Sequence, residues 1–177
     1  MPYTLDLSGR TALVAGGASG IGLGGARVLA SAGARVHITG TKETSSDYQD
    51  QEDRSGLTYH ALNVTDDAAV AALSDRFEAL DIFVSSIGSV AYSKAEYEID
   101  IFREIMDVNL HGVMHLCTTL KTALAGSGSG SVLLLGSTSS FIATPGQPAY
   151  SASKGALRTL TKSLAHAWAC DGIRVNG

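Results

Sequence analysis

Tyr150 and Lys154 stand four positions apart in the run AYSASKGAL, where every other residue but Leu157 is small. On a helix, residues i and i+4 share one face, with their Cβ atoms about 5–6 Å apart. A phenol ionises near pH 10 and is a poor base at neutrality. A cation about 4–5 Å away, at an effective dielectric of about 20, stabilises the phenolate by roughly 3–4 kcal/mol. The pair therefore suits acid–base chemistry, with Tyr150 taking a proton from a hydroxyl or returning one to a carbonyl oxygen while Lys154 supplies positive potential. Ala149, Ser151, Ala152, Ser153 and Gly155 keep the helix surface low enough for a ligand to reach the phenol. The same spacing also suits the edge of an amphipathic helix, so the pair gains meaning only from what surrounds it.

Near the other end of the chain, VAGGASGIGLG (14–24) closes an apolar run and opens a helical one. Such a turn either merely joins strand to helix or holds a dinucleotide, and its place after the first strand favours the second: Gly16 would allow the bend, Gly20 lets backbone amides approach a pyrophosphate, and Gly22 lets the helix start against the sheet. Ser19 and Ile21 lie within the same turn, and free N–H groups at the helix start attract phosphate without a basic side chain.

The elements that must position these groups alternate along the chain. Strands are expected at 11–16, 34–39, 57–62, 81–86, 131–136 and 173–176, and helices at 21–32, 66–79, 98–125 and 148–170. Thr65 suits the N-cap of the second helix, and Pro148 the first turn of the last. Most of the strands are apolar nearly throughout, which predicts a parallel sheet covered on both faces. The expected fold is α/β, a doubly wound, Rossmann-like parallel sheet in three α/β/α layers. TKETSSDYQDQEDRSG (41–56) has no apolar stripe and is expected to form a mobile loop, and AGSGSGS (125–131) a surface turn.

Composition narrows the partners. The chain has 177 residues, 45% of them hydrophobic and 17% charged, with a formal net charge of −4, which suits one globular domain and argues against nucleic acid as the main partner. No apolar run approaches a membrane span, and MPYTLDLSGR has neither the basic nor the apolar region of a leader. Cys117 and Cys170 have no metal-type spacing and read as reduced thiols, so a cytoplasmic setting is expected. His111 and His115 sit at i and i+4, but no further ligand completes a set, and no metal is assigned. Leu157, Leu160, Leu164 and Trp168 have the spacing of a core or subunit-interface stripe.

With DVNLHG (107–112), GSTSS (136–140) and YSASK (150–154), the glycine spacing resembles the short-chain dehydrogenase/reductase family over essentially the whole chain. The resemblance implies a catalytic set of Asn109, Ser137, Tyr150 and Lys154. In it Ser137 holds the substrate oxygen and Asn109 binds a water that links Lys154 to solvent. It also implies a nicotinamide cofactor, a small secondary alcohol or ketone as substrate, and a homodimer or homotetramer. Asn63, Val64, Ser86 and Gly88 are expected against the cofactor. Ala15, Asn63 and the run SSIG (85–88) replace the family's Thr, Asp and N-N-A-G, which removes hydrogen bonds and is expected to weaken cofactor binding. A single domain over 1–177 is expected, ending at IRVNG where the family continues into a Pro-Gly turn, a lid and a last strand. A cofactor-binding protein without catalysis, or an inactive truncated relative, is the alternative to an oxidoreductase.

The end of the second strand reads HITGTKET. Gly40 falls where NAD-binding relatives carry an Asp, and Thr41, Lys42 and Thr44 follow with two hydroxyls and an ammonium able to meet a phosphate. NADP(H) is expected in preference to NAD(H), with NAD(H) as the alternative.

Overall fold

The computed structural model describes residues 5–49 and 52–177. Residues 1–4, where the leaderless reading begins, and 50 and 51, inside the expected mobile loop, lie outside them. Among the described residues six strands, β1 (Thr11–Ala15), β2 (Arg35–Gly40), β3 (Thr58–Ala61), β4 (Ile82–Ser85), β5 (Ser131–Leu134) and β6 (Arg174–Asn176), form one sheet in the order β3-β2-β1-β4-β5-β6. Every pairing is parallel. The chain reverses its direction of travel across the sheet between β1 and β4, which opens a crevice above their carboxyl ends.

Alternation within β1 explains why an almost wholly apolar strand is needed. Leu13 and Ala15 join the core beneath α2 (Asp67–Ser74), α4 (Gly112–Gly126) and α5 (Pro148–Trp168). Ala12 and Val14 join a second cluster with Ala26 of α1 (Gly20–Ser31), Val36 and Ile38. The stripe of α5 resolves as core, because Leu157, Leu164 and Trp168 are buried and Leu160 packs against them.

The helices depart from expectation in informative ways. Asp66, not Thr65, caps α2, its carboxylate accepting from Ala68 N and Ala69 N at 3.0 Å each. The Thr65 hydroxyl instead donates to Asn63 Oδ1 at 2.8 Å. The helix expected over 98–125 spans nearly that range but is not uniform. It consists of α3 (Ile99–Met106), a π-helical turn over Asp107–His111, and α4. The described part of the 41–56 loop is anchored: Ser45–Asp47 form a 3-10 turn capped by Thr44, and Arg54 Nε donates to Ala18 O at 2.8 Å.

At the β2–β3 edge, His37 Nδ1 and His60 Nε2 share a hydrogen bond of 2.9 Å, their rings stacked 8° from parallel and Phe77 edge-on to His37. Burial lowers both below the ordinary histidine value, His60 to about 4, and the Arg76 cation adds to it. The unfolded chain takes up a proton near pH 6.5 that the folded pair refuses, so stability is full above that pH and is lost as pH falls toward 4. With solvent screening at half-buried rings, the loss is expected to be about 1–2 kcal/mol. Melting temperatures recorded across this range should fall steadily, and His60→Gln should flatten the curve; an unchanged slope in that variant would remove the pair as its cause.

Candidate active site

A cleft of about 610 Å³ opens where the carboxyl ends of β1, β2, β3, β4 and β5 converge. At one end lies the glycine turn. Gly16 has φ +75°, a region that a Cβ disfavours, and its N–H donates to Thr39 Oγ1 at 3.1 Å. A Cβ on Gly22 would be driven into the Gly16 carbonyl, so the helix can start this close to β1 only without one. Ser19 and Ile21, at the start of α1, lie on the cleft wall, and Ile21 is 80% exposed. The unpaired N–H groups of the first turn of α1 follow. A close-packed glycine turn next to a helix N-terminus on the wall of the cleft fits a pyrophosphate.

At the other end, Tyr150 and Lys154 lie on the wall from the first turns of α5. Pro148 at the start of that helix fixes φ where no N–H is needed. Lys154 is almost wholly buried, and its Nζ donates to Ile87 O at 2.9 Å and Leu135 O at 3.0 Å. Desolvation holds this ammonium below the ordinary lysine range. Nζ lies 5.9 Å from the centre of the Tyr150 ring. The bonds that seat Tyr150 run through its backbone: its N–H donates to Glu96 Oε2 at 2.9 Å, and its carbonyl accepts from Ser153 Oγ at 2.8 Å.

Asn109 is fully buried in the π-helical turn. Its Oδ1 accepts from Ser89 N at 2.6 Å, while its Nδ2 donates to Ser89 O at 2.8 Å and Ser153 Oγ at 3.1 Å. The side chain is thus committed to holding the segment after β4 against α5. Ser137 Oγ accepts from Ser139 N at 3.1 Å, which leaves the hydroxyl its own proton to donate. Ser137 itself is not on the wall, but its neighbour Gly136 is.

Thr41, Asn63, Val64, Ser86 and Gly88, expected against the cofactor, line the same cleft. Gly20, Gly22 and Lys42 lie off the wall; the Lys42 carbonyl accepts from Tyr59 OH at 2.5 Å. Ser89 and Val90 also line the cleft, whereas 137–147 does not, and Phe141 and Ile142 are exposed. Sequence reasoning missed Thr39, which ties down the glycine turn, and Tyr48. The Tyr48 ring lines the cleft, its hydroxyl accepts from Thr41 N at 3.1 Å and crowds the position of any Cβ on Gly40, and Arg54 stacks 4.7 Å from its centre. A lone aromatic in an otherwise polar loop was the signal available. His111 and His115 pair with different carboxylates, Asp107 at 2.8 Å and Asp67 at 3.2 Å, around a second, shallower cleft.

A tyrosine–lysine pair and a glycine turn, at the switch point of a doubly wound sheet, are the arrangement expected of a nicotinamide-dependent oxidoreductase. Residues 16–177 match the family described as enoyl-(acyl carrier protein) reductase. A 2-dehydro-3-deoxy-D-gluconate 5-dehydrogenase of Bacillus subtilis is 36% identical over 97% of this chain and 70% of its own. A chloroplastic tropinone reductase homolog of Arabidopsis thaliana is 34% identical over 97% of this chain, which spans 56% of that relative's length. The crystal structure of a gluconate 5-dehydrogenase from Burkholderia cenocepacia in complex with NADP and tartrate superposes with a TM-score of 0.84 at 34% identity, over 98% of this chain and 71% of that one. The chain belongs to the short-chain dehydrogenase/reductase family.

Proposed function

We propose that the protein interconverts a small secondary alcohol and its ketone, with Tyr150 as the acid–base group and NADP(H) as the preferred cofactor. The observation that carries the reading is the seating of Lys154 between the Ile87 and Leu135 carbonyls with its ammonium beside the Tyr150 ring, on the wall of the switch-point cleft. Bound in the cleft, a nicotinamide supplies or accepts the hydride. The chain's own residues do the rest. The Tyr150 hydroxyl gives its proton to the carbonyl oxygen in reduction, and the Tyr150 phenolate takes one from the alcohol in oxidation. The Lys154 ammonium stabilises the negative charge that appears on the phenol oxygen. Ser137 donates its hydroxyl proton to the same substrate oxygen. The water that links Lys154 to solvent and reloads the proton belongs at Asn109, whose side chain is engaged by Ser89 and Ser153.

Preference for NADP(H) is supported at the end of β2. Gly40 has no room for a carboxylate, because its Cβ would collide with Tyr48 and with Ala18. The nearby acid Asp47 spends its Oδ2 on Thr44 N and Thr44 Oγ1, at 2.8 and 2.9 Å. The exposed Lys42, next to Thr41 on the cleft wall, is the ammonium placed to meet a phosphate at that end. Fluorescence titration should give NADPH a dissociation constant at least about fivefold below that of NADH, with Lys42→Ala weakening NADPH by roughly 1–3 kcal/mol. Tighter NADH, or no loss on Lys42→Ala, would count against the assignment. Turnover followed by the near-ultraviolet absorbance of the reduced nicotinamide, over a panel of hydroxy acids, polyols and cyclic ketones, tests the reaction itself; no turnover with any of them would sink it. A homodimer or homotetramer and a cytoplasmic setting belong to the same proposal, the latter supported by the free thiols of Cys117 and Cys170.

A further inference from the structure

Glu96 is a fully buried acid that the chemistry above does not use. It follows Ser93 and Lys94, two non-glycine residues with φ of 57° and 61°, a left-handed pair that is strained in L-residues and marks a backbone held there by its surroundings. After that turn the Glu96 carboxylate reaches two main-chain donors at once. Oε1 accepts from Ala91 N at 3.1 Å and Oε2 from Tyr150 N at 2.9 Å. Tyr150 is the third residue of α5, where an N–H has no partner within the helix and where a negative charge opposes the positive end of the helix dipole.

Taken with its neighbours, this contact completes a pattern. The segment that leaves β4 is gripped at every second residue: Ile87 O by Lys154, Ser89 N and O by Asn109, and Ala91 N by Glu96. Each grip also ends on α5, through Lys154 itself, through Ser153 Oγ as Asn109's second partner, and through the N–H of Tyr150. Two of the three side chains belong to the catalytic set, and the third has the same form without touching the cleft.

We propose that Glu96 is a positioning residue, which fixes the depth of Tyr150 at the head of α5 against the 87–91 wall of the cleft. The inference rests on the acid–base reading of Tyr150. Glu96 meets no substrate and acts only through the backbone of the residue that does. Glu96→Gln keeps the volume and one acceptor, but its amide nitrogen cannot accept an N–H, so one of the two bonds is lost. A misplacement of about an ångström at a reacting group costs as much as 10²-fold in rate. Glu96→Gln is therefore expected to lower kcat by about 10- to 100-fold, with KM and the NADPH dissociation constant within about threefold of wild type. Glu96→Asp, which keeps both acceptors, should recover part of the rate. Amide hydrogen exchange gives a readout in the unmodified protein, where the Tyr150 and Ala91 N–H groups should exchange slowly although one lies in the first turn of a helix and the other in a loop.

Fast exchange at both amides in the wild type overturns the proposal whatever the variants do. So does a Glu96→Gln kcat within about twofold of wild type, or a loss shared equally by kcat, KM and cofactor affinity, which would mark a purely structural acid. Absence of turnover in the wild type sinks the oxidoreductase reading, while the exchange experiment still judges the clamp by itself.

Discussion

Tyr150→Phe is expected to lower kcat by about 10²- to 10⁴-fold while NADPH affinity stays within about twofold. The substitution removes one oxygen from a half-buried ring and disturbs none of the bonds that seat the residue, since those run through its N–H and its carbonyl. Fold, melting temperature and cofactor cleft should therefore survive, and the loss should appear in turnover alone. Steady-state rates with any responsive ketone, beside a cofactor titration of the same preparation, check it. Turnover close to wild type would take the proton-transfer role away from Tyr150.

Lys154→Met should behave differently, because the ammonium proposed to assist Tyr150 also holds two main-chain carbonyls. The thioether fills the same channel but gives the Ile87 and Leu135 carbonyls no donor, and each buried acceptor left unpaired costs about 1–3 kcal/mol. A stability loss of about 2–4 kcal/mol, or roughly 5–15 °C in melting temperature, is expected together with a rate loss at least as large as that of Tyr150→Phe. In the wild type, pH should separate the two jobs. Burial lowers the ammonium's pKa, so its charge, and the rate that depends on it, is lost at a lower alkaline pH than an exposed lysine would allow. Over that interval the unfolded chain still holds the proton and the folded chain does not, so stability rises with pH as activity falls. Calorimetry and rate measurements on one pH series would reveal the divergence; parallel curves would contradict it.

What could be read before folding was what depends on neighbours in sequence. The strands were legible because a parallel sheet covered on both faces needs apolar residues on both sides, as β1 illustrates with Leu13 in one core and Val14 in the other. The Tyr150–Lys154 pair was legible because helical spacing alone brings the two together. Asp66 took the cap expected of Thr65 because the stronger acceptor sat one position nearer the helix and Asn63 drew the hydroxyl away. Glu96 could not have been found in this way, since its two partners lie 5 and 54 positions along the chain and meet it only after the sheet has formed. Tyr48 was hidden for the same reason: its importance comes from the space above Gly40. DVNLH carries no breaker that would separate a π-helical turn from an ordinary α-helical one.

That turn also constrains how the chain can vary. The N–H of Gly112 reaches back to the Asp107 carbonyl, five residues away, so the helix between α3 and α4 holds one residue more than an α-helix would need. The surplus is taken up as a bulge between the two helices. Leu116, Leu120 and Leu124 of α4 belong to the core, Ile105 of α3 is buried, and Asn109 lies buried in the bulge between them. Deleting one residue from 107–111 would still leave a good helix with the same apolar content. It would close the π-helical turn into an ordinary α-helical one, leaving α3 and α4 in much the same relation but removing the bulge that carries the Asn109 amide to Ser89. In this stretch length is constrained more tightly than composition: substitutions that keep the helix can be absorbed, whereas a single-residue deletion would leave the helix intact and still dismantle the site.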